Sequence, residues 1–92
     1  MVINYHLLPF EKKLELIDNS LDGSSLHNLS KLGELQSLSL GGNNIQNYDD
    51  LKPLLKLTKL FQLDLINCEI CNQSDYRQKL FEMFPNLGVS YN

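Results

Sequence analysis

The side chains that could do chemistry are few and widely spaced. Cys68 and Cys71 form a C-x-x-C pair, His6 and His27 are the two histidines, and Gly41-Gly42 is the one glycine doublet. Zinc would need four ligands, and neither a second cysteine pair nor a nearby histidine completes the set. A redox dithiol is expected where a strand meets a helix N-terminus in a thioredoxin-like setting, and the repeat described below argues against that setting. Cys68 instead reads as a small structural residue at a turn. Neither histidine has a carboxylate and a Ser or Cys that the chain would bring beside it, so catalysis is not expected. The glycine doublet lacks the following Lys-Ser/Thr of a phosphate loop and is better explained by tight turning. Asn28-Leu29-Ser30 and Asn72-Gln73-Ser74 match the glycosylation sequon, as ten asparagines in a serine-rich chain would by chance.

What must position these residues is one small unit, because 92 residues leave no room for two domains. A net charge of −3 lacks the basic excess that draws proteins to nucleic-acid phosphates or anionic lipid. Direct nucleic-acid and membrane partners are therefore not expected. A hydrophobic fraction of 42% with 21% charged residues fits a folded chain rather than a disordered one. No apolar run reaches membrane-span length, and Met1 to Phe10 lacks the layout of a secretion signal, so an intracellular protein is the default.

Twenty leucines against two valines prompt a search for repeats. The pattern L-x-x-L-x-L-x-x-N-x-L fits at Leu35, Leu38, Leu40, Asn43 and Ile45, and again at Leu60, Leu63, Leu65, Cys68 and Ile70. An earlier copy runs through Leu14, Leu16, Asn19 and Leu21. The steps from Asn19 to Asn43 to Cys68 are 24 and 25 residues, within the range of leucine-rich repeats. The fold class that follows is α/β: a short leucine-rich-repeat solenoid with a parallel sheet on its concave face and 3₁₀ or helical segments on its convex side. Each L-x-L makes a strand with leucines inward, and the Asn or Cys turns in to satisfy backbone groups of the turn that follows.

Three segments should return the chain. Gly23 to Gly33 carries Leu26, Leu29 and Leu32, with Ser24 or Ser25 as cap. Asp49 to Lys59 turns Leu51, Leu54, Leu55 and Leu57 inward, capped by Asp49 or Asp50, with Pro53 in the first turn. Asp75 to Phe84 is the strongest helix, with Tyr76, Leu80, Phe81 and Phe84 inward, Ser74 or Asp75 as cap and Pro85 as stop. It would cover the open end of the core. Residues 1–11 are an atypical N-terminal segment, 12–74 the repeats and 75–92 a C-terminal cap, all in one domain.

The run Leu63-Asp64-Leu65-Ile66-Asn67-Cys68-Glu69-Ile70, then Asn72, Asp75-Tyr76-Arg77, Leu80-Phe81 and Phe84-Pro85-Asn86-Leu87, closely resembles the last repeat and cap of the acidic leucine-rich nuclear phosphoprotein 32 family. Lys13 to Asn19 and Leu38 to Ile45 resemble that family's middle repeats. The likeness covers about residues 12 to 87; a weaker one is to the spliceosomal U2 A-prime type of repeat protein. The resemblance implies a non-enzymatic, cofactor-free interaction module, with histones and an inhibited phosphatase as partners, chromatin regulation as context, and a nuclear and cytoplasmic location. Against the family pattern, further N-terminal repeats, a capping helix and a long Asp/Glu tail are missing, and Ser90 replaces a leucine. Protein binding by the repeat surface is what transfers. The competing expectations are a structural adaptor of the spliceosomal type and a truncated gene product.

Two-residue alternation places Lys13, Glu15, Ile17 and Asp18, then Ser37, Ser39, Gly41 and Gly42, then Gln62, Asp64, Ile66 and Asn67 on the outer sheet face. These form the candidate protein-binding surface: carboxylates at Glu15, Asp18 and Asp64, apolar spots at Ile17 and Ile66, and a flat Ser/Gly strip between. Asp75, Tyr76 and Arg77 read as structural, pinning the last helix. If the first strand is a sheet edge, the apolar Met1 to Phe10 either folds over it or mediates a homodimer through that edge.

Overall fold

The computed structural model describes residues 12–87. The expected L-x-L units become three short strands, β1 (Lys13–Glu15), β2 (Ser37–Ser39) and β3 (Gln62–Asp64), paired in parallel in the order β1-β2-β3. Their register aligns Leu14, Leu38 and Leu63 in one rung. Alternation puts these leucines beneath the sheet and their neighbours on its outer face. The same register continues past the strands, where the Asn44 N–H bonds the Leu21 carbonyl at 2.8 Å and the Ile70 N–H bonds Ile45 at 3.0 Å. Leu21, Ile45 and Ile70 are thereby stacked and wholly buried.

The return segments differ from one another in ways that follow from their leucine spacing. The first contains α1 (Gly23–Leu29), whose N-cap is Asp22 rather than either expected serine. The Asp22 carboxylate accepts from the Ser25 N–H at 3.1 Å and from the Ser24 hydroxyl at 2.7 Å. Asp22 outcompetes the serines because a carboxylate offers acceptors to both groups at once. The Ser24 hydroxyl and then the Ser25 N–H hold its carboxyl below the usual range.

The second return is a nine-residue 3₁₀ helix, Tyr48–Lys56, with Asn47 at its N-cap. Asp50 does not begin it; its carboxylate reaches back to the Gln46 and Asn47 N–H groups, each at 3.3 Å. Leu51, Leu54 and Leu57 recur every three residues and are buried, matching the 3₁₀ repeat. Leu55, expected inward, is 46% exposed, since it lies off that three-residue stripe. Pro53 sits inside the helix rather than in its first turn. Its fixed φ suits 3₁₀ geometry, at the loss of one N–H donor.

A second, short 3₁₀ helix, Glu69–Asn72, follows β3 and leads to α2 (Tyr76–Met83). Tyr76, Leu80 and Phe84 lie four apart and are buried, while Phe81 faces out at 51% exposure instead of joining the core as expected. Asp75 stands at the N-cap position without capping. Its carboxylate instead accepts from the Tyr48 hydroxyl at 2.7 Å, tying the last helix to the preceding return segment. The expected N-terminal cap or dimer contact of Met1 to Phe10 lies outside the described residues. No helix among the described residues is long and apolar enough to cross a membrane.

Candidate protein-binding face

Three strands in register set out the outer face as rows. Lys13, Ser37 and Gln62 form the first row and Glu15, Ser39 and Asp64 the second. The repeat spacing places Ile17, Gly41 and Ile66 in the third, and Asp18, Gly42 and Asn67 at the strand exits. Ile17 and Ile66 are 52% and 48% exposed, a large fraction for isoleucine.

The carboxylates are not equivalent. Lys13 Nζ lies 3.3 Å from Glu15 Oε1, so one of the three face charges is partly offset by its strand neighbour. Asp64 turns one oxygen to the Ile66 N–H at 2.9 Å, which fixes its side chain where the strand ends. Ser37 donates to Gln62 Oε1 at 3.0 Å across the first row. The acidic character of the face therefore rests chiefly on Asp18 and Asp64.

The strand exits explain residues that the sequence left as surface choices. Asp18, Gly42 and Asn67 have φ of 57°, 70° and 63°, the left-handed region. Glycine enters it freely, and Asp and Asn tolerate it better than other residues. Asp18 and Asn67 thus have a backbone role in addition to any binding role. The flat Ser/Gly strip is not open along its length. A Cβ on Gly41 would lie 3.1 Å from Ile66 Cγ2 and from the Ile66 carbonyl, and one on Gly42 would overlap the Asp18 carboxylate. Ile66 and Asp18 therefore lean in over the middle repeat, and Ser37 and Ser39 remain as the half-buried floor.

Beneath this face, Asn43 holds two repeats together. Its Oδ1 accepts from the Asn19 and Leu21 N–H groups at 2.9 and 3.0 Å. Its Nδ2 donates to the Leu16 and Leu40 carbonyls at 2.8 and 2.7 Å. The side chain reaches back to the preceding repeat, not to the turn that follows as expected, because parallel stacking puts that repeat's turn alongside it. All its hydrogen-bonding capacity is used, as burial requires.

The third repeat meets the same demand with two thiols. Cys68 Sγ donates to the Leu40 carbonyl at 3.2 Å and Cys71 Sγ to the Leu65 carbonyl at 2.8 Å. These carbonyls are the one-repeat-on equivalents of those that Asn43 serves. Burial pushes the Cys68 thiol up, against weaker opposing pulls from the Asn43 and Gly42 N–H groups. Burial, followed by a hydrogen bond with Cys71, pushes the Tyr76 hydroxyl far up as well.

Beside the face, Asn44, Asn67, Glu69, Cys71 and Asn72 line an open hollow of about 590 Å³ with Ile66 on its rim. Asn44, Glu69 and Asn72 were not singled out by alternation, which ends with the strand; their proximity to the Asn/Cys repeat position was the available signal. His27 lies exposed on α1. No three His, Cys, Asp or Glu side chains among the described residues are grouped to hold a metal ion.

No family model matches the chain. The acidic leucine-rich nuclear phosphoprotein 32 family member A of Drosophila melanogaster is 44% identical over 81 residues, 88% of this chain and 31% of that protein. Its counterpart in Drosophila pseudoobscura pseudoobscura is also 44% identical, over 88% of this chain and 30% of its own length. A protein of Tetrahymena thermophila that is named as a histone is 38% identical over 94% of this chain and 22% of that protein. The chain thus spans less than a third of each of these relatives. Among solved structures, the Drosophila melanogaster SNF/U2A′ complex contains a chain at TM-score 0.61 and 34% identity, covering 64% of this chain and 34% of that one. Over most of its length, the chain is a leucine-rich-repeat relative of the acidic leucine-rich nuclear phosphoprotein 32 family.

Proposed function

We propose that this chain is a non-enzymatic docking module whose outer sheet face receives a basic protein segment bearing an apolar side chain, of the kind a histone tail presents. The observation that carries this reading is the pairing of exposed Ile17 and Ile66 with Asp18 and Asp64 on one face. Isolated carboxylates would be an ordinary solvated surface. Carboxylates beside half-exposed isoleucines give a segment both a charge to meet and a contact to bury. Lys13, Glu15, Ser39, Gln62 and Asn67 complete the proposed contact set. The relatives' names support a histone-related, nuclear setting. Chromatin regulation, inhibition of a phosphatase and a nuclear and cytoplasmic distribution accompany this reading, with repeats over 12–74 and a cap over 75–92 as its working unit.

A second reading, a structural adaptor of the spliceosomal type, is favoured by the likeness to a chain of the SNF/U2A′ complex. Titration of a lysine-rich histone-tail peptide against the full chain discriminates between the two. The isosteric triple variant Glu15→Gln, Asp18→Asn, Asp64→Asn keeps the local hydrogen bonds and removes the charge. It is expected to bind about tenfold more weakly, a loss of about 1.4 kcal/mol. Binding by the native chain should also weaken with salt. Undiminished affinity in the triple variant would remove the docking reading.

A further inference from the structure

We propose that Cys68 and Cys71 form a reversible intramolecular disulfide, which withdraws both thiol donors from the sheet and loosens the third repeat where it meets α2. This inference is independent of what the outer face binds.

The Leu65 carbonyl receives its thiol donor from Cys71, and the Leu40 carbonyl, already served by Asn43 Nδ2, receives a second side-chain donor from Cys68. Both cysteines are free thiols, Cys68 buried and Cys71 partly exposed. They bracket one tight turn, closed by the Cys71 N–H bonding the Cys68 carbonyl at 3.0 Å. Such a turn keeps the two Cα atoms within about 7 Å. Disulfides take Cα separations of about 4.4–6.8 Å, a span that such a turn can meet. A disulfide sulfur carries no hydrogen to donate. Closure therefore removes the thiol donor of the Leu65 carbonyl and one of the two side-chain donors of Leu40, which keeps Asn43 Nδ2, in one event that the amide of Asn43 cannot itself undergo.

The co-reactant is a low-molecular-weight disulfide such as oxidised glutathione. Cys71, the more accessible group, attacks as its thiolate, forms a mixed disulfide and releases one thiolate, which takes up a proton. Cys68 then loses its proton and attacks the Cys71 sulfur, releasing the second small thiol. The protein loses two hydrogens and two electrons, and one disulfide becomes two thiols. Excess reduced thiol reverses both steps. Tyr76, the first residue of α2, shares a hydrogen bond with Cys71, so the change is felt at the start of that helix.

The test exposes the full chain to oxidised and reduced glutathione mixtures and reads peptide mass together with amide hydrogen exchange. The expected product is a peptide spanning 66–77 that has lost two hydrogens without gaining glutathione. Exchange across 66–80 should rise at least about tenfold while residues 19–30 keep their rate. Added reduced thiol should restore both. The double variant Cys68→Asn, Cys71→Ser supplies non-oxidisable donors and should not respond. Glutathione adducts without closure, or no reaction at all, would overturn the disulfide. Closure without faster exchange would overturn the role assigned to the thiol donors.

Discussion

The turns that follow β2 and β3 occupy the same place in successive repeats and are held by different chemistry. In the first, one asparagine makes four bonds to two repeats. In the second, two thiols three residues apart serve the two equivalent carbonyls. The stacking of parallel strands sets the requirement, because it buries backbone groups at every turn whatever side chain the sequence supplies. The repeat therefore demands donors at fixed points rather than one residue type. The consequences differ: an amide joins four groups rigidly, whereas thiols are weaker donors and open to oxidation.

The largest test breaks the stronger turn. Asn43→Ala takes the side-chain partner from the Asn19 and Leu21 N–H groups and the Leu16 carbonyl and leaves Leu40 only the Cys68 thiol, and with about 1–3 kcal/mol for each buried group left unsatisfied, partly relieved by water, the loss should reach about 3–5 kcal/mol. That is a large share of the roughly 5–15 kcal/mol typical of small domains. Urea unfolding followed by circular dichroism measures it, and a loss below about 1 kcal/mol would contradict the bonding described.

The same measurement on the weaker turn should give less. Cys68→Ala or Cys71→Ala removes a single thiol donor, with an expected loss of about 1–2 kcal/mol. The decisive variant transplants the asparagine. Cys68→Asn combined with Cys71→Ala should recover most of the loss of the two alanine changes, because one amide at that position serves both carbonyls in the middle repeat. No recovery would show that the two turns are not interchangeable.

A smaller contrast lies one residue earlier. Gly42→Ala places a Cβ at φ 70° and against the Asp18 carboxylate, so a loss of about 1–2 kcal/mol is expected. Asn67→Gly at the matching exit relieves the same backbone strain and should be neutral or stabilising by a few tenths of a kcal/mol. Thermal melts of the two variants moving in the same direction would break the equivalence of these exits.

The smallest effect concerns the tie across the convex side. Burial first, and then the hydrogen bond and charge of Asp75, push the Tyr48 hydroxyl up to about 12. The folded chain thus prefers the protonated phenol. This contribution is fully present below the ordinary tyrosine value near 10 and is lost as pH rises through about 12. Urea midpoints between about pH 9 and 12 should fall less steeply in Tyr48→Phe than in the native chain. Parallel curves would exclude Tyr48 from the alkaline loss.

How much was legible in the sequence varied with the range of the interaction. Leu14, Leu38 and Leu63 announced their strands through two-residue alternation, and the 24- and 25-residue steps set the parallel register. Leu55 and Phe81 were misplaced because an apolar residue one step off a stripe looks the same in sequence whether the helix is α or 3₁₀. Asp22 was overlooked as a cap for a related reason, since it competes with two adjacent serines and only geometry decides. Of the candidate face, the alternating positions were readable, but the leaning of Ile66 over Gly41 and of Asp18 over Gly42 was not. Those contacts join residues a full repeat apart.

The sequence alone determined the repeat, its strands and the chemistry available at each turn, because these depend on periodicity and residue type. Only the tertiary structure decided which backbone groups each turn residue satisfies. Asn43 reaches backward to Leu16, Asn19 and Leu21, and Cys71 joins Cys68 in a task that a single asparagine performs one repeat earlier. Stacking brings Asn43 to Leu16, Asn19 and Leu21, and Cys68 to Leu40, across more than twenty residues of chain, and no local pattern states which backbone groups will need a donor until another repeat lies beside them.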